Sequence, residues 1–295
     1  MRRLTWFLLT PFVLIALGYG ALLWQHNRTQ PEPSREQYHA AWLRTLDWLE
    51  TNRATVLKQQ NPALWWMLQE SQAILPEPRL AALLADFDAA RVFKNSIWGG
   101  FFDPALRRRS PVMSLEALGS YQRFFAYAFS CDYWLGAEDD IRQQLEADYC
   151  PAIKHWVTSC VTHQLMAVRF LIKRRCGDAT RLAALSSALL DTIERELRLD
   201  PRLGDLYIQR LLMLAESGKA DRIRPVWRQR LLAAQHPDGG FGDFQPLIPL
   251  PGGRALGLHN YVSGTGIVHS NFHATAQAVW LLSLLQQAAP PDIFL

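Results

Sequence analysis

The chain has little of what marks the more specialised classes of protein. Glycine and proline supply 17 residues each out of 295, which excludes a collagen-like fibre and a disordered chain. Four cysteines are too few for a small disulfide scaffold, and none has the C-x-x-C spacing of a zinc knuckle or a thioredoxin-like site. Three of the 31 basic residues are Arg2, Arg3 and Arg28, so 28 basic residues face 27 acidic ones beyond them. The body therefore lacks the basic footprint of a nucleic-acid-binding protein.

The most apolar segment lies at the N-terminus. Leu4–Trp24 contains no charged residue, and about 20 helical residues suffice to cross a hydrocarbon core of about 30 Å. Because Arg2 and Arg3 precede this segment, the positive-inside rule leaves the N-terminus in the cytoplasm. The sequence therefore predicts a single-pass anchor in the inner (cytoplasmic) membrane, with the main domain periplasmic. A cleaved signal peptide is the alternative interpretation.

Three regions follow from this interpretation of the N-terminus. The predicted regions are a cytoplasmic N-terminus with a transmembrane anchor at 1–24, a polar linker at 25–34, and an exported domain at 35–295. An exported domain with an even number of cysteines permits two disulfides among Cys131, Cys150, Cys160 and Cys176, in any of three pairings. Buried free thiols are the alternative for these cysteines.

Helical periodicity dominates the body, and strand signals are weak outside 261–268. Apolar residues recur at helical spacing over Leu115–Phe129, Thr162–Ile172, Leu182–Leu197, Leu206–Ala215 and Ala274–Leu285. Four of the helical segments carry a glutamine at a similar place: Gln122, Gln164, Gln209 and Gln277, which are 42, 45 and 68 residues apart. A period near 42–45 residues is typical of repeated helix pairs, and the Gly/Pro-rich stretch 238–266 is interpreted as a loop inserted in the last interval. Ordinary helix packing is the alternative explanation for these glutamines.

The most distinctive motif is Asp238-Gly239-Gly240-Phe241-Gly242, which follows a helix ending near Gln235. The next helix opens at Ser270 or Asn271 and continues through Thr275-Ala276. This arrangement resembles the repeat of the α/α-toroid superfamily, which includes terpenoid cyclases, protein prenyltransferase β subunits and thioester-containing complement-like domains. The resemblance is strongest over 231–285. It implies an all-α domain in which helical hairpins form a toroid-like ring.

The resemblance carries no activity with it. Only Asp86 and Asp88 faintly resemble the acidic cluster of terpenoid cyclases, and the Gly-Cys-Gly-Glu-Gln segment of thioester domains is absent. His273 resembles in position the zinc-binding histidine of prenyltransferases, but no Asp-x-Cys precedes it. The motif therefore indicates a fold and leaves the reaction open.

A closed ring would bring the starts of its inner helices to one mouth of a central cavity, where helix N-termini favour anionic ligands. Saccharide, peptide and carboxylate ligands all fit that expectation. The predicted catalytic residues are His163, His273 and Asp238, and the predicted ligand-binding residues are Tyr207, Asp243, His259, Asn260 and Tyr261. His269 and His273 have the i, i+4 spacing of a metal-ligand pair on one helix face, which makes zinc the alternative to a site without a cofactor.

These observations predict a membrane-anchored envelope protein whose helical toroid domain binds a ligand or a partner. The alternative is a periplasmic enzyme of the hydrolase or lyase type that acts on a glycan or peptide in the cavity, with or without a metal. The expected partners are the membrane, through Leu4–Trp24, and an envelope protein, glycan or peptide; nucleic acid is not expected.

Overall fold

The computed structural model describes residues 2–103, 118–153, 157–259 and 263–288. Its α-helices are α1 (Arg2–Asn27), α2 (Arg35–Thr51), α3 (Arg53–Val56), α4 (Pro62–Ile74), α5 (Pro78–Asp86), α6 (Ala89–Phe93), α7 (Ser120–Ser130), α8 (Tyr133–Gly136), α9 (Asp139–Gln144), α10 (Cys160–Arg174), α11 (Ala179–Leu199), α12 (Asp205–Glu216), α13 (Pro225–Ala233) and α14 (Phe272–Ala288). Short 3₁₀ segments lie at Ile97–Phe101 and Ala220–Arg222, and a π-helical turn lies at Tyr149–Ile153. The strands are β1 (Phe244–Leu250), β2 (Arg254–His259) and β3 (Ser263–Ile267).

Several helices begin and end at the residues that the sequence indicates. Asn61 caps α4 by accepting a hydrogen bond from the Ala63 amide, with Pro62 in the first helical position. Asp178 caps α11 in the same way. Gly177, which follows α10, has a φ of 86°, so it adopts the left-handed conformation that glycine tolerates best.

Five helices follow one another in space. Helix α14 packs against α4 on one side and α12 on the other, α12 contacts α10, and α10 packs against α7. The 3₁₀ segment Ile97–Phe101 contacts both α7 and α4, which closes the sequence of contacts. Helices α2 and α11 pack outside this set, against α14 and α10 respectively. The N-terminal turns of the five helices consequently face a common cavity.

Helix α14 is apolar on nearly every face, and it is enclosed by other helices of the fold. It contacts α2, α4 and α12, and its residues from Ala274 to Ser283 are all buried. A helix that is hydrophobic all round is typical of a position inside a protein core. Trp280 is 2% exposed and packs edge-on to Trp66 of α4, with ring centroids 4.8 Å apart.

The stretch after the glycine-rich motif forms a sheet, so the all-α prediction is wrong. Strands β1, β2 and β3 form an antiparallel meander in the order β1-β2-β3. The β1–β2 turn contains Gly252 and Gly253, whose φ values are 74° and 72°. The segment that the sequence predicted to be an inserted loop is therefore largely paired backbone, apart from its glycine-rich start.

The glycine-rich motif fixes the start of α14 against the rest of the fold. The Phe241 amide donates to Thr275 Oγ1 over 3.0 Å, and the Asn271 amide donates to the Phe241 carbonyl over 2.8 Å. Gly239 has a φ of 88°, and a Cβ there would collide with the carbonyl of Arg44. Gln235 Nε2 also donates to the carbonyls of Ala41 and Gly239, each over 2.8 Å. The motif is thus a structural joint between α2, α13 and α14.

The four cysteines form two disulfides. Cys131 pairs with Cys176, which links the ends of α7 and α10, and Cys150 pairs with Cys160, which links the π-helical turn to the start of α10. The two pairs enclose 45-residue and 10-residue separations. Disulfides persist mainly in proteins of oxidising compartments.

The predicted membrane anchor is contradicted by the structure. Within the described residues, whose side chains are described from Val13 onward, no helix combines the length and the apolar character needed to cross a membrane. This finding overturns the transmembrane helix predicted at Leu4–Trp24, together with the single-pass inner-membrane location and the periplasmic placement that depended on it. The physical reason lies at the end of α1, which packs on the body: Tyr19 OH donates to the carbonyl of Leu199, and His26 is fully buried.

Candidate functional site

A cavity with two lobes lies where the five helix N-termini meet. One lobe has a volume of about 420 Å³ and lies between α7, α10 and α12; the other has a volume of about 390 Å³ and lies between α4, α7 and α14. Both lobes are lined by Tyr121, His163, Gln209 and His273. These four residues therefore mark the junction between the lobes. Concave sites with a few converging polar groups are where proteins bind small molecules.

His273 forms a hydrogen-bonded pair with a carboxylate at this junction. His273 is in the first turn of α14 and Asp205 is the first residue of α12; because these helices are neighbours, His273 Nδ1 lies 2.7 Å from Asp205 Oδ2. The His273 side chain is 44% exposed, whereas that of Asp205 is 16% exposed. The helix dipole of α12 favours a negative charge at Asp205. Since an ionised carboxylate only accepts hydrogen bonds, Nδ1 carries the proton and Nε2 is the basic atom of His273.

His163 is held in the same tautomer by the backbone. Its Nδ1 donates to the carbonyl of Ser159 over 2.7 Å, which leaves Nε2 as an acceptor. Burial lowers the pKa of His163 below its ordinary value, and the nearby His273 lowers it further, against opposing effects of the Ser159 carbonyl and Asp205. His163 is therefore a neutral hydrogen-bond acceptor near neutral pH. The ring of Tyr121 lies beside it, with centroids 4.9 Å apart.

The four glutamines that suggested a repeat all line the cavity. Gln122 and Gln277 line the lobe beside α4, Gln164 lines the other lobe, and Gln209 lines both. Three of them are anchored: Gln122 Oε1 accepts from the Gly119 amide, Gln164 donates to two backbone carbonyls, and Gln209 accepts from a threonine hydroxyl. Gln277 differs, because its Oε1 is buried and has no hydrogen-bond partner.

The remaining predicted catalytic and binding residues lie away from the junction. Asp238 accepts from the Trp48 indole, the Gly240 amide and the Ser270 hydroxyl, so it stabilises the glycine-rich turn. Tyr207 is 1% exposed and donates to the Trp227 carbonyl over 2.8 Å, and burial raises the pKa of its phenol.

Two further predicted ligand-binding residues serve local structure, and two others cannot be placed. Asp243 Oδ1 lies 3.4 Å from Asn271 Nδ2. The His259 ring packs against Phe244 in the sheet, with centroids 4.6 Å apart. Asn260 and Tyr261, which were also predicted to bind ligand, lie outside the described residues.

The predicted metal pair does not share a helix face. Helix α14 begins at Phe272, so His269 lies before it, where its Nδ1 is 3.1 Å from the carbonyl of Ile267. His273, in contrast, faces Asp205 and lines the cavity. Across 2–103, 118–153, 157–259 and 263–288, no group of three or more His, Cys, Asp or Glu side chains is arranged to hold a metal ion. Zinc binding at His269 and His273 stays a prediction.

Asp205 and Tyr121 belong to the site but were not singled out from the sequence. Each lies in the first turn of a helix whose glutamine had been recognised, Gln209 for Asp205 and Gln122 for Tyr121. The available signal was therefore position, because the first turns of the glutamine-bearing helices lie at the same cavity.

A larger hollow of about 680 Å³ lies between α1, α11 and the sheet. Four of its charged groups are already paired with one another: Arg210 contacts Glu196 over 2.9 Å and Asp200 over 2.8 Å, and Arg202 also pairs with Asp200. The histidine cavity is the stronger candidate site because His163 Nε2 and the Gln277 oxygen retain acceptor capacity.

Comparisons of the chain with protein families, with curated proteins and with solved structures find no match. The resemblance to the α/α-toroid superfamily accordingly stays a prediction, and the function must be argued from the site.

Proposed function

We propose that the protein is a binding domain for a small polar ligand, held in the two-lobed cavity. The observation that carries this proposal is the convergence of Gln122, Gln164, Gln209, Gln277 and two imidazoles on one concave site. Most of these side chains are fixed by hydrogen bonds to the fold, so little conformational entropy is lost when a ligand binds. A preorganised set of donors and acceptors is typical of a recognition site.

A thermal-shift screen with the purified protein tests the proposal. The probes are neutral mono- and disaccharides, uronic acids, neutral and charged dipeptides, and dicarboxylates. At 100 times its Kd a ligand stabilises the folded state by about 2.7 kcal/mol, which raises Tm by about 4 °C for a chain of this size. We expect at least one probe class to produce that shift.

A variant with a filled cavity shows whether the Tm shift comes from binding in the cavity or from a general effect of the probe on the protein. Gln209→Trp adds bulk at the junction of the lobes, whereas Ala81→Trp adds the same ring on the exposed face of α5 and is the matched control. The Tm shift is expected to disappear in Gln209→Trp and to persist in Ala81→Trp. No shift with any probe, or an equal shift in both variants, would contradict ligand binding in this cavity.

The Asp205–His273 pair favours a second candidate, an acid–base enzyme of the hydrolase type. In that reaction His273 Nε2 takes a proton from water as the water oxygen bonds to an electrophilic carbon of the ligand. The bond from that carbon to the leaving atom breaks, and the leaving atom receives the proton from the imidazolium. Asp205 stabilises the imidazolium and holds the ring in the required tautomer.

Catalysis and binding are distinguished by His273→Ala. If the protein is an enzyme, this variant loses about 100-fold or more in turnover of the probe that the screen identifies, while the Tm shift with that probe persists. His269→Ala is the control, since His269 lies before α14 and is absent from the lining of either lobe. If the bound probe is recovered unchanged from the wild-type protein, the second candidate is wrong and the binding proposal stands.

A further inference from the structure

We infer that the ligand of this cavity is an uncharged molecule of two linked sugar-like rings, with one ring in each lobe and the linkage beside His163 and His273. The inference rests on the proposed function and names the ligand class. Three observations carry it: the division of the cavity, the charge of its lining, and an unpartnered amide oxygen.

The division of the cavity sets the shape of the ligand. The two lobes have similar volumes, about 420 and 390 Å³, and they share the residues at the junction. A ligand of one compact unit would fill a single lobe and leave the other to water. A molecule of two similar units joined by a short linkage matches two similar lobes that meet at a waist.

The charge of the lining favours an uncharged ligand over an anionic one. Among the described residues that line either lobe there is no lysine or arginine, and the one carboxylate, Asp205, is hydrogen-bonded to His273. A buried phosphate or uronate would therefore lack a countercharge. The N-termini of α4 and α7 offer less to an anion than the sequence suggested, because Asn61 already accepts from the first turn of α4 and Gln122 accepts from the amide before α7.

The unpartnered oxygen calls for a ligand that donates hydrogen bonds. Gln277 is 1% exposed and lines the lobe beside α4; its Nε2 lies 3.4 Å from the acceptor Nε2 of His273, but its Oε1 has no partner. Leaving such an acceptor unsatisfied costs about 1–3 kcal/mol. A ligand hydroxyl would satisfy it. The His163 Nε2 acceptor, at the junction of the lobes, can accept a hydrogen bond from a second hydroxyl.

Aromatic side chains complete the chemistry of a sugar site. Trp98, Phe101 and Phe125 line the lobe beside α4, and Tyr121, whose side chain is 49% exposed, stands at the junction. A sugar ring has apolar C–H faces and a rim of hydroxyl groups. It can therefore pack on aromatic rings and donate to Gln277 and His163 at once, which a purely apolar ligand cannot do.

Calorimetric titration with defined sugars tests the inference. The probes are maltose, cellobiose and N,N′-diacetylchitobiose, their monosaccharides, glucuronic acid, and the neutral dipeptide Ala-Ala amide as a peptide control. Ala63→Trp fills the lobe beside α4, and Ser159→Trp fills the other lobe; both residues are partly exposed, so the added ring is accommodated. Ala81→Trp on α5 is again the control.

We expect one disaccharide to bind, with its affinity reduced at least tenfold in each filled-lobe variant and unchanged in Ala81→Trp. Its monosaccharide should bind more weakly and respond to only one of the two filled lobes. Gln277→Leu, which removes the unpartnered oxygen, should weaken the disaccharide about tenfold, equivalent to about 1.4 kcal/mol.

Two outcomes would overturn the inference while leaving the proposed function intact. The first is tighter binding of glucuronic acid or the dipeptide than of any neutral sugar. The second is a disaccharide whose affinity depends on a single lobe. In contrast, if none of these probes binds and the wider screen also gives no Tm shift, the proposed function itself fails.

Discussion

His26 makes the stability of the fold depend on pH in a direction that can be calculated. The ring is fully buried between Tyr207 and Trp227, and its Nε2 donates to the Leu197 carbonyl over 2.6 Å. Burial lowers the pKa of His26 from 6.5 to about 4, with a smaller effect from the nearby Arg230, whereas the carbonyl acts in the opposite direction. The buried Nδ1 has no partner, so a second ring proton would have no acceptor.

The direction of the pH dependence of the free energy of unfolding follows from which state, folded or unfolded, binds the proton on His26. Between about pH 6.5 and about pH 4 the unfolded chain holds a proton on His26 that the folded protein does not, so the free energy of unfolding decreases as the pH falls. The full difference in pKa corresponds to about 3 kcal/mol, and about 2.5 kcal/mol of it is lost by about pH 4.5. Above about pH 7.5 this contribution is constant.

Urea unfolding, followed by tryptophan fluorescence, measures the effect. His26→Gln keeps a donor for the Leu197 carbonyl and removes the titration, so the difference between wild type and variant cancels every other ionisable group. We expect the advantage of the wild type over the variant to shrink by about 2.5 kcal/mol between about pH 7 and about pH 4.5. A difference that is the same at both pH values would refute the reasoning.

Three further predictions concern a disulfide, a glycine with a left-handed backbone conformation, and zinc. Replacing Cys131 and Cys176 together by serine should lower the free energy of unfolding by about 4 kcal/mol in urea, as expected for a closed loop of 45-residue separation, and an unchanged midpoint would contradict this. Gly239→Ala should lower the free energy of unfolding by more than about 2 kcal/mol, because the added Cβ meets the α2 backbone. Gly218→Ala, at a φ of 71° with open space around it, should lower it by about 1 kcal/mol. Equal losses of stability would show that the contact with the α2 backbone is unimportant. The purified protein should contain far less than one equivalent of zinc by mass spectrometry, and a full equivalent that disappears in His273→Ala would show that the zinc alternative is right.

The helices were predictable because each buries a continuous apolar stripe. The segment predicted at Thr162–Ile172 lies inside α10, and the one at Leu182–Leu197 lies inside α11. The sheet was missed because prolines interrupt β1 at Pro246 and Pro249, which removes ladder donors and disguises the alternation of a strand. Pairing with β2 compensates through a register shift beside Pro246.

The two histidines of the candidate site could be predicted from the sequence, but the aspartate that pairs with one of them could not. His163 and His273 lie together because both occupy first turns of helices whose spacing the repeated glutamines indicate. Asp205 escaped notice because an acidic residue at a helix start is ordinarily explained by the helix dipole alone. Asp238 was predicted to be catalytic because a carboxylate beside glycines is typical of a functional loop. In the structure it instead accepts a hydrogen bond from the Gly240 amide and stabilises a turn.

The membrane prediction failed on a different ground. Uncharged length alone cannot distinguish a helix surrounded by lipid from one whose end is anchored on protein. Tyr19 was interpreted as an uncharged member of the apolar segment and His26 as part of the polar linker, yet in the fold both bond to carbonyls at the end of α11.

The placement of α14 also has a consequence for biosynthesis. This helix occupies the centre of the fold, yet it is the last element in the described chain to leave the ribosome. Until it emerges, the nascent polypeptide exposes the apolar sides of α2, α4 and α12, and the two-lobed cavity lacks His273. Translation that stops before Phe272 should therefore yield a fragment that chaperones hold and proteases remove.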